Sequence, residues 1–467
     1  MANVSGPDPV PLRARRAAAA KAWSSLRGPV LVPSGVPVPI AGTDQVHDFH
    51  AHAEHYYLAG SAGPGSVLAF DETDGWRLFA RTSSIEELVW TNAPPAPEEL
   101  ARTTGLDRVD PIEGLLPWLE RRRGEPVAVI GNRDLLDHPG RYRLEGFSRL
   151  EIDIDEETSA RLGDAVSELR RAKDVDELAL MRAAAEASVA GHLHAIRNAR
   201  EGWTERAYQV EIEAEMFRNG GDRTAYGSIV GAGSNGAVLH FGPGSREFRN
   251  GEIVLCDAAA EVAGYAADVT RTFPVGPRFE GIQADLYDLV YGTQQEAISA
   301  AGPGVEYRDL HLAASRSIAA GLVDLGLLRG NPDALVDADA HALFFPHGLG
   351  HMLGLATHDA GGCLAGREPS DRFGLKYLRA DLPLQPNYVV TIEPGIYFIP
   401  ALLNDPERRE RYGDMVNWEM AERLIEFGGI RIEDDVLITP SGAQVLSGGL
   451  PGERSAIEAL RQEGLAS

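Results

Sequence analysis

Cysteine is nearly absent. Cys256 and Cys363 are the only two in 467 residues, too few for a disulfide framework and wrongly spaced for a thiolate metal site. Long apolar runs are missing as well, so no segment reads as a bilayer-spanning helix. Basic residues are outnumbered: 44 Lys and Arg stand against 69 Asp and Glu, a formal charge of −25, which argues against a nucleic-acid surface. Near the amino terminus Arg13, Arg15 and Arg16 precede only four alanines, Ala17 to Ala20, an apolar stretch far shorter than a signal-peptide core. These absences predict a reduced, cytoplasmic protein with neither a membrane nor a nucleic-acid partner.

What is present is a folded chain, with 44% hydrophobic and 24% charged residues, long enough for two or three domains. The first 155 residues alternate short strands and helices: an amphipathic helix near 12–26, strands at Val30–Val32 and Val127–Ile130, and a hairpin of Val67–Phe70 with Arg77–Ala80. His47, His50, His52 and His55 crowd one segment, but no further ligands at metal-site spacing accompany them, and a solvated or packing role is expected. From Glu156 the pattern turns to long helices, with Leu178, Met181, Ala185, Val189, Leu193 and Ile196 recurring at helical spacing. Thr204 is a candidate N-cap for a helix to about Arg218, and further helices are expected near 280–300 and 307–325. Strand-like segments follow at Tyr226–Val230, Glu252–Ala258, Ala266–Phe273, Val389–Glu393 and Gly429–Ile438. The expected organisation is a small α/β domain, 1–157, and a larger mixed α+β domain, 158–467.

Chemistry gathers in the second part. Asp257 and Asp268 lie on two strands around a turn near Val262–Gly264, which sets the carboxylates nearly opposite each other, where like charges repel unless a cation separates them. His347-Gly-Leu-Gly-His351 carries glycines that make it a tight loop, not a helical zinc-protease motif. Glu393 and Glu433 each end a β-forming stretch. Asp257, Asp268, His351, Glu393 and Glu433 together offer four carboxylates and one imidazole, a hard donor set suited to manganese, with cobalt or zinc able to substitute. Four negative charges are offset by two divalent ions, leaving a hydroxide between them as a hydrolytic nucleophile. Scattered structural acids would show the same spacing, so the pattern alone leaves that alternative open. Arg431, two residues before Glu433 on one expected strand, faces the same side and can orient a ligand carboxylate.

The strings Asp268-Val-Thr-Arg-Thr, His347-Gly-Leu-Gly-His351, Thr391-Ile-Glu-Pro-Gly and Gly429-Ile-Arg-Ile-Glu433 resemble the pita-bread metallopeptidases of the prolidase and aminopeptidase P family. Arg171-Ala-Lys-Asp-Val-Asp-Glu-Leu resembles the helix that opens its catalytic domain, and residues 50–60 resemble its amino-terminal domain more faintly. The resemblance implies a creatinase-like amino-terminal domain, a pita-bread catalytic domain and two Mn2+ per subunit. Asp268 and Glu433 would bridge the ions, Asp257 would bind one, and His351 with Glu393 the other. It further implies Glu393 as proton relay, His358 at the substrate carbonyl, and His240 closing over the proline. Arg379 would receive a free carboxylate, and Tyr226 would line the pocket. The long segment between Glu393 and Glu433 looks like prolidases and their organophosphorus-acid-hydrolysing relatives. The resulting expectation is an Xaa-Pro dipeptidase, with aminopeptidase P as its rival and phosphotriester hydrolysis as a side activity. A homodimer acting on small peptides is implied.

Overall fold

The computed structural model describes residues 9–24, 26–131 and 152–466. Two compact units divide between Arg170 and Arg171.

The first unit is built on a five-stranded sheet in the order β4-β3-β2-β1-β5. Its strands are β1 (Val30–Pro33), β2 (Val67–Asp71), β3 (Gly75–Ala80), β4 (Val109–Pro111) and β5 (Ala128–Val129). The expected hairpin is β2 against β3, antiparallel, with Val67 opposite Phe79. Leu31, Val67, Ala69 and Phe79 pack with Leu115, Trp118 and Leu119 to form one core. The opening helix α1 (Pro9–Ala22) stops four residues short of the expected end. There the chain turns to seat Trp23, fully buried, against Phe70 and Trp76 at ring-centre distances of 5.8 and 5.3 Å. Residue 25, inside the expected helix, lies outside the described residues.

Of the crowded histidines, His47 and His50 are exposed, while His52 and His55 pack. His55 is buried on α2 (Ala53–Ala59), its Nδ1 2.8 Å from the Val32 carbonyl, and burial lowers its pKa to about 4. His52 shares Nδ1 with the Pro33 carbonyl at 3.2 Å. Among the described residues this segment brings no three ligating groups together.

The second unit begins with Asp174 capping a 24-residue helix in a capping box with Glu177. Counting α3 (Ile85–Trp90), α4 (Pro97–Thr104), α5 (Leu115–Glu120) and α6 (Glu156–Arg171) before it, this helix is α7 (Val175–Asn198). Its buried face takes in Met181, Ala185 and Ile196 of the expected stripe together with the small residues Ala184, Ser188, Gly191 and Ala195, while Leu178, Val189 and Leu193 are only half-buried. Small residues are needed because α8 (Glu205–Arg218), capped by Thr204, crosses closely: a Cβ on Gly191 would lie 2.9 Å from the Ile212 carbonyl oxygen. Helices α9 (Ile282–Ala300) and α10 (Tyr307–Asp324) fall where expected.

Short sheets carry the rest. Strands β7 (Ile229–Ala232), β8 (Ile253–Asp257) and β11 (Thr270–Pro274) form one, and β6 (Arg223–Thr224), β9 (Ala260–Val262) and β10 (Tyr265–Ala266) another. The turn between β9 and β10 is Ala263-Gly264, with φ of 46° and 82°, the two positive values of a tight hairpin turn. Strand β12 (Val389–Ile392) pairs with β15 (Asp434–Thr439), which pairs with β16 (Gly442–Val445), and β13 (Gly395–Tyr397) pairs with β14 (Gly429–Arg431). Three expected strands need correction. Tyr226–Val230 moves to Ile229–Ala232, Ala266–Phe273 breaks at Ala267–Val269, and Gly429–Ile438 breaks at Ile432–Glu433. Both breaks occur beside candidate ligands.

Candidate metal centre and active site

Asp257 closes β8, where its ladder partner is Thr270. Asp268, two residues before Thr270 in the break between β10 and β11, is therefore offset diagonally from Asp257 and not its direct opposite. Thr270 also bridges to Glu433 as an isolated antiparallel pair: the Glu433 amide donates to the Thr270 carbonyl at 3.1 Å, and Thr270 Oγ1 donates to Glu433 Oε2 at 2.6 Å. Glu393 follows the end of β12, its amide donating to the Leu349 carbonyl at 2.8 Å.

His351 sits on an irregular loop clamped by Thr391. The His351 amide donates to Thr391 Oγ1 at 3.0 Å, and the Thr391 amide returns a bond to the His351 carbonyl at 2.9 Å. Tyr307 fixes the clamp by donating to the Thr391 carbonyl at 2.6 Å. Nδ1 of His351 lies 3.0 Å from the Met352 carbonyl, so that nitrogen carries a proton and Nε2 points at Asp268 Oδ2 (3.3 Å) and Glu393 Oε1 (3.5 Å). In a neutral ring that lone pair faces two carboxylates, an arrangement that a cation between them relieves.

The donor set fits a divalent ion on those grounds. Asp268, His351 and Glu433 each place a ligand atom within 4.8 Å of the others, and all three are buried. Asp257 and Glu393 line the same cavity. Burial, reinforced by the neighbouring carboxylates, raises Asp257, Glu433 and Glu393, the last to about 7. Burial lowers His351, but Asp268 and Glu393 outweigh it and the net shift is upward. Such a concentration of buried acid calls for positive charge beyond the buried guanidinium of Arg431 beside it.

That guanidinium is fully engaged. Arg431 donates to Asp257 Oδ2 at 2.6 Å, to Thr270 Oγ1 at 3.2 Å and to the Tyr397 hydroxyl at 2.9 Å. It ends β14, while Glu433 lies past the strand break, yet the two side chains still meet at 3.8 Å. Tyr226, expected in the pocket wall, is half-buried beside the cluster, does not line the cavity, and donates to Asp257 Oδ1. His347 completes the network: Nδ1 donates to the Gly348 carbonyl at 2.8 Å, leaving Nε2 to accept from Tyr397 at 2.9 Å.

A cavity of about 630 Å³ opens over this cluster. His358 stands edge-on to His351, ring centres 4.4 Å apart, and burial with the adjacent His351 lowers its pKa to about 4. His240 and Arg379, both exposed, also line the cavity, so the structure brings together every expected site residue except Tyr226 in one wall. Thr270, Thr391 and Tyr397 are functional supports that spacing did not single out. Two of them lie inside the quoted motifs, within two residues of a ligand, the only signal available.

A sequence profile for Metallopeptidase family M24 matches residues 179–440, and one for the amino-terminal domain of aminopeptidase P matches residues 12–125. The probable Xaa-Pro aminopeptidase pepP of Botryotinia fuckeliana (strain B05.10) is 33% identical over 411 residues, 87% of this chain and 86% of that one. The aminopeptidase PepP of Pseudomonas aeruginosa superposes with a TM-score of 0.81 at 29% identity, covering 99% of both chains. Aminopeptidase P from E. coli with the inhibitor Pro-Leu gives 0.80 at 28%, covering 99% of this chain and 100% of that one. These relatives carry the name of the rival reading rather than that of prolidase. With an aminopeptidase P-like amino-terminal domain ahead of a pita-bread domain, the chain belongs to Metallopeptidase family M24 and is a metal-dependent peptidase.

Proposed function

We propose that this protein is an Xaa-Pro aminopeptidase, releasing the first residue of peptides whose second residue is proline. The size of the cavity carries this reading. At about 630 Å³ it equals about 20 water volumes, more than the atoms of a small Xaa-Pro dipeptide fill, so the chain beyond proline has room. The similarity to Xaa-Pro aminopeptidases supports the same choice.

Asp257, Asp268, His351, Glu393 and Glu433 would hold two manganese ions, which when bound act as Lewis acids and acidify water at the site. Glu393, 3.4 Å from Thr391 Oγ1 and held at the end of β12, would take the proton released in the attack and pass it to the leaving nitrogen. His358 would donate its N–H to the scissile carbonyl oxygen as charge develops there. His240 would cover the proline ring from the rim, and Arg379 would meet a carboxylate farther along the substrate. Arg431 and Tyr226 would keep Asp257 in one orientation. The reading carries with it a homodimer in the cytoplasm.

The test is a comparison of Ala-Pro with Ala-Pro-Gly and Ala-Pro-Gly-Gly in manganese-loaded enzyme, following released alanine. The longer peptides are expected to be cleaved at least as efficiently as the dipeptide. Turnover confined to Ala-Pro would instead establish the dipeptidase. Metal analysis of active enzyme is expected to give two ions per subunit, and one ion would refute the dinuclear centre.

A further inference from the structure

The charged residues of the cavity are divided by depth. Its carboxylates, Asp257, Asp268, Glu393 and Glu433, belong to the enclosed cluster, with side-chain exposures between 2% and 16%. Its other cations, Lys376, Arg379 and Arg408, lie outward: Lys376 and Arg379 are exposed and Arg408 is half-exposed. Lys376 and Arg379 have no carboxylate within ion-pair distance among the described residues. Arg408 pairs with Asp405 on its own turn, and its guanidinium carbon sits 5.0 Å from the Phe373 ring centre. A second hollow of about 260 Å³ shares this wall: Phe373, Lys376 and Arg408 line both, and Arg411 adds a further cation opposite Asp371 and Glu407. In a chain of net charge −25, unpaired cations gathered at the mouth of an acid-floored cavity need an explanation.

Arg408 comes from α13 (Pro406–Arg411), which follows α11 (Pro332–Asp337) and α12 (Pro400–Leu403) and precedes α14 (Trp418–Arg423) and α15 (Arg454–Ala466). Both α12 and α13 lie in the long segment between Glu393 and Glu433. That segment also supplies the apolar wall through Ile399, Pro400 and Leu402. The cavity therefore runs from an acidic floor, past an apolar wall, to a basic rim.

With the floor carboxylates offset by the divalent ions they would hold, the rim supplies the remaining field, which draws in a peptide's carboxylate and favours negative charge downstream of the cut. Resting on the Xaa-Pro aminopeptidase reading, we propose that Lys376 and Arg408, beside Arg379, form an anion-accepting rim that selects peptides carrying a carboxylate beyond the proline. The carboxylate comes from the free terminus of a short peptide or from an Asp or Glu side chain.

The experiment uses the manganese-loaded full chain and three peptides: Ala-Pro-Gly-Gly as the free acid, its carboxamide, and the carboxamide of Ala-Pro-Gly-Glu. The parent is expected to prefer the free acid over its amide by about three- to tenfold in kcat/KM, the range that one or two solvent-exposed charge contacts provide. Recovery of that preference by the glutamate peptide identifies any downstream carboxylate as the ligand, whereas no recovery identifies the chain terminus. Lys376→Ala and Arg408→Ala should each reduce the acid-to-amide ratio. Lys376→Glu should invert it, Lys376→Arg should restore it, and 0.5 M salt should compress it in the parent. Because the readout is a ratio, partial loss of folded enzyme cancels. Equal parental rates on acid and amide, or a ratio indifferent to Lys376→Glu and Arg408→Ala, would overturn the rim while leaving the aminopeptidase reading intact. Failure to cleave any of the three would overturn that reading and this inference with it.

Discussion

Lys173 and Asp359 form an ion pair at 3.0 Å with each side chain 1% exposed. At an effective dielectric near 20, their attraction is about 5–6 kcal/mol, most of it offset by the cost of taking both charges out of water. The pair is therefore worth little as a unit, but removing one member leaves the other buried without this counter-charge, a loss of about 3–5 kcal/mol. Position makes this matter for the site. Asp359 follows His358, and its amide donates to the Met352 carbonyl at 2.9 Å, joining the segment that carries His358 to the loop that carries His351. Lys173→Met should lower the melting temperature of the second unit, about 300 residues, by roughly 5–8 °C. It should also reduce kcat/KM on Ala-Pro-Gly through the displaced His358. The double variant Lys173→Met with Asp359→Asn should cost less than the sum of the single variants. Gly354→Ala should act like a single variant, because its Cβ would fall 2.3 Å from Asp359 Oδ2 and 2.9 Å from Lys173 Nζ. Calorimetric melting and steady-state kinetics on the parent, the two single variants, the double variant and Gly354→Ala decide the matter. Strict additivity, or a Lys173→Met melt within 1 °C of the parent, would refute the coupling.

Two further outcomes follow from buried groups. His311 Nε2 donates to the Gly374 carbonyl at 2.8 Å, and burial lowers its pKa to about 4. The unfolded chain takes up this proton first as pH falls, so stability is intact above about 6.5 and is lost toward pH 4, by up to roughly 3 kcal/mol. The fall in urea midpoint between pH 7 and 5 should be shallower in His311→Gln, and an identical slope would refute the assignment. Arg431→Met should weaken manganese binding by about 10- to 100-fold, as loss of a group that orients a ligand does, and Arg431→Lys should not rescue it because one ammonium cannot reach Asp257, Thr270 and Tyr397 together. Isothermal titration of the metal-free variants measures this, and unchanged affinity would remove Arg431 from the support of Asp257.

How much of this was legible in the chain depends on the range of each interaction. The four carboxylate candidates were readable because each stands in a short β-forming string, and His351 because two glycines mark its string as a tight loop. Their relative geometry was less so. Nothing in Leu255 to Thr272 distinguishes a direct from a diagonal pairing of Asp257 and Asp268, since a shift of two residues preserves the face. The broken strand at Ile432–Glu433 is likewise invisible in a run of β-forming residues, because the break is imposed by pairing on two different partners, β13 before it and β12 after it. The hydrogen bond from Tyr226 to Asp257, 31 residues away, was not legible because nothing in the local string shows which way the phenol points. Lys173 and Asp359, 186 residues apart, share no local signal at all.

The breaks themselves explain why the site is where it is. Within a continuous ladder, backbone groups bond to neighbouring strands and successive side chains alternate faces, so carboxylates from several strands cannot easily converge on one point. Each candidate carboxylate here stands at a strand end or a break, and His351 on an irregular loop, where the chain is free to turn inward. The backbone groups released from the ladder are then satisfied individually. The Asp268 amide donates to the Asp435 carboxylate at 3.1 Å, the Glu393 amide to Leu349, and the His351 amide to the Thr391 hydroxyl. Every one of these substitutes ties one ligand segment to another element instead of to its own strand. Convergence and rigidity thus have a common origin: the same hydrogen bonds that compensate for the interrupted sheets hold the donor atoms in place before any cation or peptide arrives.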